Sequence, residues 1–316
     1  MSFFALLIAL LLEQKHPFPG VDRLSTLLGK WADYIQQRFN TGQDLDGRAA
    51  WCVAVLPLVF AVWGEYTLLT YGLGGLWGAL DWLFQVAVLY ALMGFRQESH
   101  FFSDIQKALQ TGDISLARSV LGQWRGEDHQ QASQEEIARL SIEEGILAGY
   151  RNVFALLFWF MVLPGVSGVV FYYMTRFLAQ HWSKTSEEPT VFSQFSRRVL
   201  AFLDFFPTRL AAWSFMIVGD FEDAKYCKDT QAQTWSDPLA GVLLACAAGA
   251  LGIRLGGMIH QGAVLVDRPT LGLEEEATVN AMQRTAGLMW RALLLCLMCV
   301  ALFDLIGWAG LVALGH

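Results

Sequence analysis

Long apolar runs separated by polar stretches dominate the chain, and their lengths decide which of them can cross a bilayer. Residues 2–12 are apolar but too few to span alone. In LSTLLGKWADYIQQRF, residues 24–39, apolar positions recur at helical spacing between charges, which predicts an amphipathic helix at a membrane surface. Residues 49–71, interrupted only by Glu65, predict a first span that Gly72, Gly74 and Gly75 end. Residues 76–95, interrupted only by Asp81, predict a second.

The pattern then changes in kind. Residues 96–151 are polar and carry helix punctuation: Thr111-Gly112-Asp113 closes one helix and opens the next, with Asp113 as N-cap, and Ser133 followed by Glu136 has capping-box spacing. Three helices forming a soluble layer are expected there. Residues 152–175 carry no charge, and Pro164-Gly165 at their centre predicts a kinked span in preference to a broken one. A polar linker follows at 183–189. Asp204, Pro207 and Arg209 then fall within apolar surroundings, where the acid and base either pair on a broken segment or sit at an interface. Residues 238–266 predict a further span or broken pair, and 287–314 a last one containing Asp304. The fold class expected is all-α: a polytopic α-helical integral membrane protein with a small helical soluble layer. Its parts are N-terminal apolar and amphipathic helices (1–48), a transmembrane hairpin (49–95), the soluble insertion (96–151) and a membrane domain of kinked or broken spans (152–316).

Composition agrees with that class. Hydrophobic residues make up 54% of the 316 and charged residues 16%, against about 25% charge in a soluble domain. A formal charge of −7 with no basic block excludes nucleic acid as a partner. Cys296 and Cys299 form C-x-x-C inside LLLCLMCVALF, where cysteine acts as small apolar filler. The six scattered histidines predict no metal site. MSFFALLIALLLEQ lacks a basic flank and a small-residue cleavage site, so it is expected to be retained. Basic residues are too sparse to orient the spans.

The densest information lies in 238–272. Gly241, Ala245 and Gly249 recur at four-residue intervals, as do Ala248, Gly252 and Gly256, which on a helix makes two small-residue faces for close packing within the chain or between two copies. Arg254 falls beside them, where a cation either marks a polar cavity or snorkels from the end of a span.

A-G-A-L-G-I-R-L-G-G followed by R-P-T-L-G resembles the C-terminal signature of the CobD/CbiB family, membrane proteins of cobalamin biosynthesis. Three more blocks resemble it in order. Ala108, Leu109, Gly112, Asp113, Ala117, Arg118 and Leu121 match the first, with Arg125 and Asp128 near its R-D position. Arg139, Glu143, Ala155, Leu157, Phe158 and Trp159 match the second, and Pro207-Thr208-Arg209-Leu210 the third. Polar positions of the family pattern are replaced at Leu147, Ala148, Arg151, Arg176 to Ala179, Leu200, Ala201 and Leu239.

The resemblance implies an inner-membrane adenosylcobinamide-phosphate synthase that joins an amino-alcohol phosphate to a cobyric acid carboxylate with ATP and Mg, its partners being the bilayer and a corrinoid. It implies Glu143 and Asp204 as catalytic groups, and Asp113, Arg118, Arg209, Arg254 and Arg268 as substrate or phosphate ligands. The replaced acids leave Glu143 to ligate magnesium or accept a proton, and they put catalysis itself in question. RNVFALLFW and LDFFPTRLA also resemble the AmpE family of membrane proteins linked to beta-lactamase and cell-wall signalling, which implies a non-enzymatic regulator as the alternative.

Overall fold

The computed structural model describes residues 2–16, 18, 20–40, 44–73, 77–184, 191–262 and 264–314. Gly74, Gly75 and most of the 183–189 linker lie outside the described residues. The chain forms two compact units: Met1–Gly94 with Ala155–Phe205 and Val300–His316, and Phe95–Phe154 with Phe206–Cys299.

In the first unit, α1 (Ser2–Lys15) packs on α4 (Trp77–Met93), and α2 (Val21–Phe39) packs on α3 (Asp44–Thr67) and α9 (Ser167–Lys184). The amphipathic pattern of α2 does what it predicts: Ala32 and Ile35 are buried on one face, while charges occupy the other. Trp51, Leu178, Trp182 and Phe192 join that core. The α13 helix (Val279–Leu314) carries Asp304, which accepts from the Phe3 backbone N–H at 3.1 Å.

The kink expected at Pro164-Gly165 is a full reversal. Helix α8 (Ala155–Val162) ends before it and α9 starts beyond it. The rings of Trp159 and Phe171 stand 6.1 Å apart, where a straight helix would separate them by about 18 Å. Gly165 takes the left-handed conformation at the turn, φ 57°, and the Ser167 hydroxyl donates to the Pro164 carbonyl at 2.6 Å. A broken segment therefore replaces the kinked span.

In the second unit, α5 (Phe95–Gln110), α6 (Ile114–Arg125) and α7 (Gln134–Gly149) are the three helices of the polar stretch. α10 (Val191–Val218) runs continuously through Pro207, so the segment around Asp204 and Arg209 is unbroken. α11 (Phe221–Gln231) lies against α12 (Pro238–Leu251). Among the described residues, five helices are long and apolar enough to cross a membrane, including those covering Asp46–Thr70 and Val279–Ile306.

Where a further span or broken pair is expected over 238–266, the described residues form one 14-residue apolar helix followed by strands. Helix α12 stops at Leu251, capped by Gly252 at φ 71°, and four short strands follow. β1 (Arg254–Gly256) pairs antiparallel with β4 (Thr270–Gly272), and β2 (Ile259–Gln261) with β3 (Val264–Val266). Ala248, Gly252 and Gly256 thus share no helix face, and Arg254 stands on a strand. The other small-residue face is real and serves packing within the chain. A side chain at Gly249 would meet the Asp223 carbonyl at 2.5 Å and the Ala224 Cα at 2.6 Å. Gly249→Val should therefore force α11 from α12 and cost about 1–3 kcal/mol, read as a lower melting temperature of the solubilised protein; unchanged melting would contradict the packing.

Candidate functional site: an arginine-held carboxylate

The most organised polar cluster joins the middle of α7 to the strands after α12. Successive turns of α7 place Glu136, Arg139 and Glu143 along one side of the helix, three or four residues apart. Ser133 starts the helix by accepting from the Glu136 N–H at 3.1 Å. The Glu136 carboxylate goes elsewhere than a reciprocal capping box: it accepts from the His260 N–H at 2.5 Å and sits 2.8 Å from its Nδ1.

Glu143 is the centre. It is only 3% exposed, and a carboxylate at that depth needs compensating donors. Arg268 supplies a two-pronged fork, Nη1 to Oε2 at 2.8 Å and Nη2 to Oε1 at 3.1 Å, and the Gly256 N–H donates to Oε1 at 2.8 Å. The Trp235 ring lies under the Arg268 guanidinium, 5.1 Å from its centroid. Arg268 is also held by its own loop, with Nε 3.4 Å from the Gly257 carbonyl.

Arg139 donates to the Met258 carbonyl at 2.5 Å and stands within electrostatic reach of Glu143, Glu136, Arg268 and Arg254. Its buried Nε has no hydrogen-bond partner among the described residues. Gly257, at φ 74°, keeps the neighbouring backbone free of a side chain on that side. The cluster therefore combines three arginines with backbone N–H groups at a glycine turn, the donor set that recognises phosphates and carboxylates.

The sequence-predicted residues divide sharply. Glu143 and Arg268 meet, although 125 positions separate them. Arg254 is near, and its guanidinium pairs with Glu276 while its N–H donates to the Glu275 carbonyl at 2.7 Å. Asp113 caps α6, accepting from the Leu116 N–H at 3.0 Å; that bond, with the Ser115 hydroxyl, holds its carboxyl below the usual carboxylate range. Arg118 clamps the Ala132 carbonyl with Nε at 2.9 Å and Nη2 at 2.8 Å. Asp204 accepts from the Tyr172 hydroxyl at 2.9 Å. Arg209 lines a different cavity, which shares no residue with the Glu143 cluster. Sequence reasoning left Arg139, Glu136, His260 and Trp235 out of the site. Arg139 and Glu136 were recoverable from their shared side of α7 with Glu143; Trp235 and His260 carry no local signal.

The residues do not fit a resident magnesium ion. Both Glu143 oxygens are engaged, and among the described residues no group of three or more His, Cys, Asp or Glu side chains is placed to hold a metal.

The fold defines a multi-pass helical membrane protein, with an arginine-rich polar cluster built where α7 meets two short antiparallel strand pairs. The chain belongs to the CobD/CbiB family: the family model described as CobD/Cbib protein matches residues 3–289. It is 33% identical over 289 residues to the cobalamin biosynthesis protein CobD of Stutzerimonas stutzeri, covering 90% of each chain. It is 32% identical over 249 residues to the protein of the same name from Chromobacterium violaceum, covering 79% of this chain and 77% of that one. With the cobalamin biosynthesis protein CbiB of Salmonella arizonae the identity is 25% over 300 residues, 89% of this chain and 88% of the relative. No solved structure matches the chain. Nothing among these relatives supports the AmpE-like alternative.

Proposed function

We propose that this protein carries out an amide-forming step of cobalamin biosynthesis in the inner membrane, joining an amino-alcohol phosphate to a cobyric acid carboxylate. The observation that carries the reading is the Arg268 fork on buried Glu143, with Arg139 beside it. Both substrates are anions that planar guanidinium groups recognise well. The names of the relatives support the pathway, and the family resemblance supports the reaction.

Each residue has a role in this proposal. Arg139, whose buried Nε has no hydrogen-bond partner among the described residues, takes the phosphate of the amino alcohol. Arg268 orients the corrinoid carboxylate by exchanging it for Glu143 in the same fork. Glu143, released from that fork, is then the acceptor for the proton that the amine sheds as its nitrogen bonds to the activated carbonyl carbon. Before substrate arrives, Glu143 holds Arg268 in its productive rotamer. Activation of the carboxylate is the contribution of ATP, which converts it to an acyl phosphate; as the C–N bond forms, the acyl C–O bond breaks and phosphate leaves, and no protein-bound metal is invoked. Asp204, Asp113 and Arg118 have structural partners where they stand, and in this proposal they support the fold.

Membranes containing the protein should convert adenosylcobyric acid, aminopropanol phosphate and ATP into a product heavier by the amino-alcohol phosphate less one water. Arg139→Gln should raise the KM for the amino-alcohol phosphate by about tenfold or more, the loss of one charged hydrogen bond, and leave the cobyric acid KM little changed. Product formation that ignores Arg139→Gln would remove Arg139 from the site; no product from well-folded wild type would remove the reaction.

A further inference from the structure

The outer side of α2 joins cations to apolar side chains. Arg23, Leu27, Trp31, Tyr34 and Arg38 follow one another at intervals of four, four, three and four residues, so they share one side of the helix. Lys30 falls beside them, three residues after Leu27 and four before Tyr34. All six are exposed, with Leu27, Trp31 and Tyr34 at 64%, 38% and 56%. The Trp31 and Tyr34 rings stack 6.3 Å apart.

Charge is segregated on this helix. Among its described side chains the one acid is Asp33, and its carboxylate lies 2.7 Å from His181 Nε2 on α9. No acid among the described residues pairs with Arg23, Lys30 or Arg38. Three uncompensated cations interleaved with exposed aromatic and aliphatic side chains suit a surface that is anionic outside and apolar beneath.

The buried side of α2 fixes the level at which that surface stands. Ala32 and Ile35 share a core with Ala50, Trp51, Ala54 and Val55, in the first half of α3, whose span-length stretch begins at Asp46. The Trp182 indole N–H, in the last turn of α9, donates to the Ala32 carbonyl at 3.2 Å. α2 thus packs on the beginning of a span and on the last turn of its neighbour, where hydrocarbon gives way to headgroups. Five charges in 19 residues keep α2 itself out of the hydrocarbon.

We propose that the outer side of α2 lies on an anionic lipid leaflet. Leu27, Trp31 and Tyr34 enter the boundary of the acyl chains, and Arg23, Lys30 and Arg38 hold phosphate headgroups around them. This inference is independent of the proposed reaction, since none of these residues belongs to the Glu143 cluster.

Fluorescence of the full-length protein in nanodiscs of equal parts phosphatidylglycerol and phosphatidylcholine tests it, with bromine quenchers on the acyl chains of one lipid or the other. The Trp31 signal is obtained by difference from Trp31→Phe. Brominated phosphatidylglycerol should quench it more than brominated phosphatidylcholine, reporting a local enrichment of about fivefold or more at low salt. Combining Arg23→Gln, Lys30→Gln and Arg38→Gln should remove that preference. So should molar sodium chloride on the unaltered protein, which needs no variant to fold. Equal quenching by the two lipids at low salt, or a preference that survives both the triple variant and the salt, would overturn the proposal. Absence of quenching by either lipid would overturn it too, and would assign this side of α2 to water or to a protein partner.

Discussion

Arg268→Met should be among the most destabilising single substitutions in the chain, at about 3–5 kcal/mol, because it strands a buried carboxylate without its counter-charge. The size follows from the surroundings of Glu143. It is 3% exposed, and once the fork is gone its remaining described donor is the Gly256 N–H. Glu143→Leu alone should be costly too, since the Arg268 guanidinium then faces Trp235 and the Gly257 carbonyl without an acid. The double variant Glu143→Leu with Arg268→Met removes both charges and should recover most of the loss. Thermal unfolding of the four proteins in one detergent gives the coupling directly. Independent, additive losses would show that the two side chains do not pair. The double variant should nevertheless be inactive, which separates the fold's need for a neutral pair from the site's need for an arginine.

Gly256→Ala should have a comparable effect for a different reason. Gly256 has φ 72°, and a Cβ there would overlap the carbonyl of Pro269, just before the paired strand β4, with the Trp235 ring 3.0 Å away. Left-handed strain and backbone overlap together put the cost at about 2–5 kcal/mol. The same N–H feeds Glu143 at 2.8 Å, so displacing β1 from β4 also loosens the Arg268 fork. A melting temperature and activity equal to wild type would mean that the hairpin is not held as described. Gly262, at φ 60° with open space around it, is the control: Ala there strains the turn but touches nothing.

The helical half of this architecture was legible because it depends on local pattern. Runs such as 49–71, interrupted only by Glu65, are apolar for long enough to predict a span, and α2 alternates charge and hydrophobe at helical spacing. Asp113 and Ser133 announce helix starts within four residues of themselves, and both make the expected cap bonds. What failed depends on a single backbone conformation or on distant partners. Gly252 reads as one more small residue of a helix face until its positive φ ends the helix there. The strands that follow are three residues each, too short to show alternation. Pro164-Gly165 favours a kink in sequence because proline bends a helix more often than it reverses the chain, and the packing of Trp159 on Phe171 shows the reversal instead.

The site was legible as a set of residue types and illegible as a set of contacts. Glu143 and Arg268 were both singled out, yet nothing local says that one neutralises the other across 125 positions. Arg139 was visible as a match to the family pattern, and its place beside Glu143 needs only the periodicity of α7. The acids of the family pattern replaced at Leu147, Arg151, Leu200 and Ala201 have no substitute in a metal-holding cluster among the described residues. Whether an arginine-held carboxylate suffices for the chemistry is therefore the question on which the functional proposal turns.

Complementation answers it most directly. A strain lacking its cobinamide-phosphate synthase, fed cobyric acid and grown under cobalamin dependence, should grow when it carries this protein, and should not when it carries Glu143→Gln at equal abundance in the membrane. Failure of the wild-type chain to restore growth, with the protein confirmed in the membrane, would contradict the synthase assignment; growth supported equally by Glu143→Gln would contradict the role given to the carboxylate.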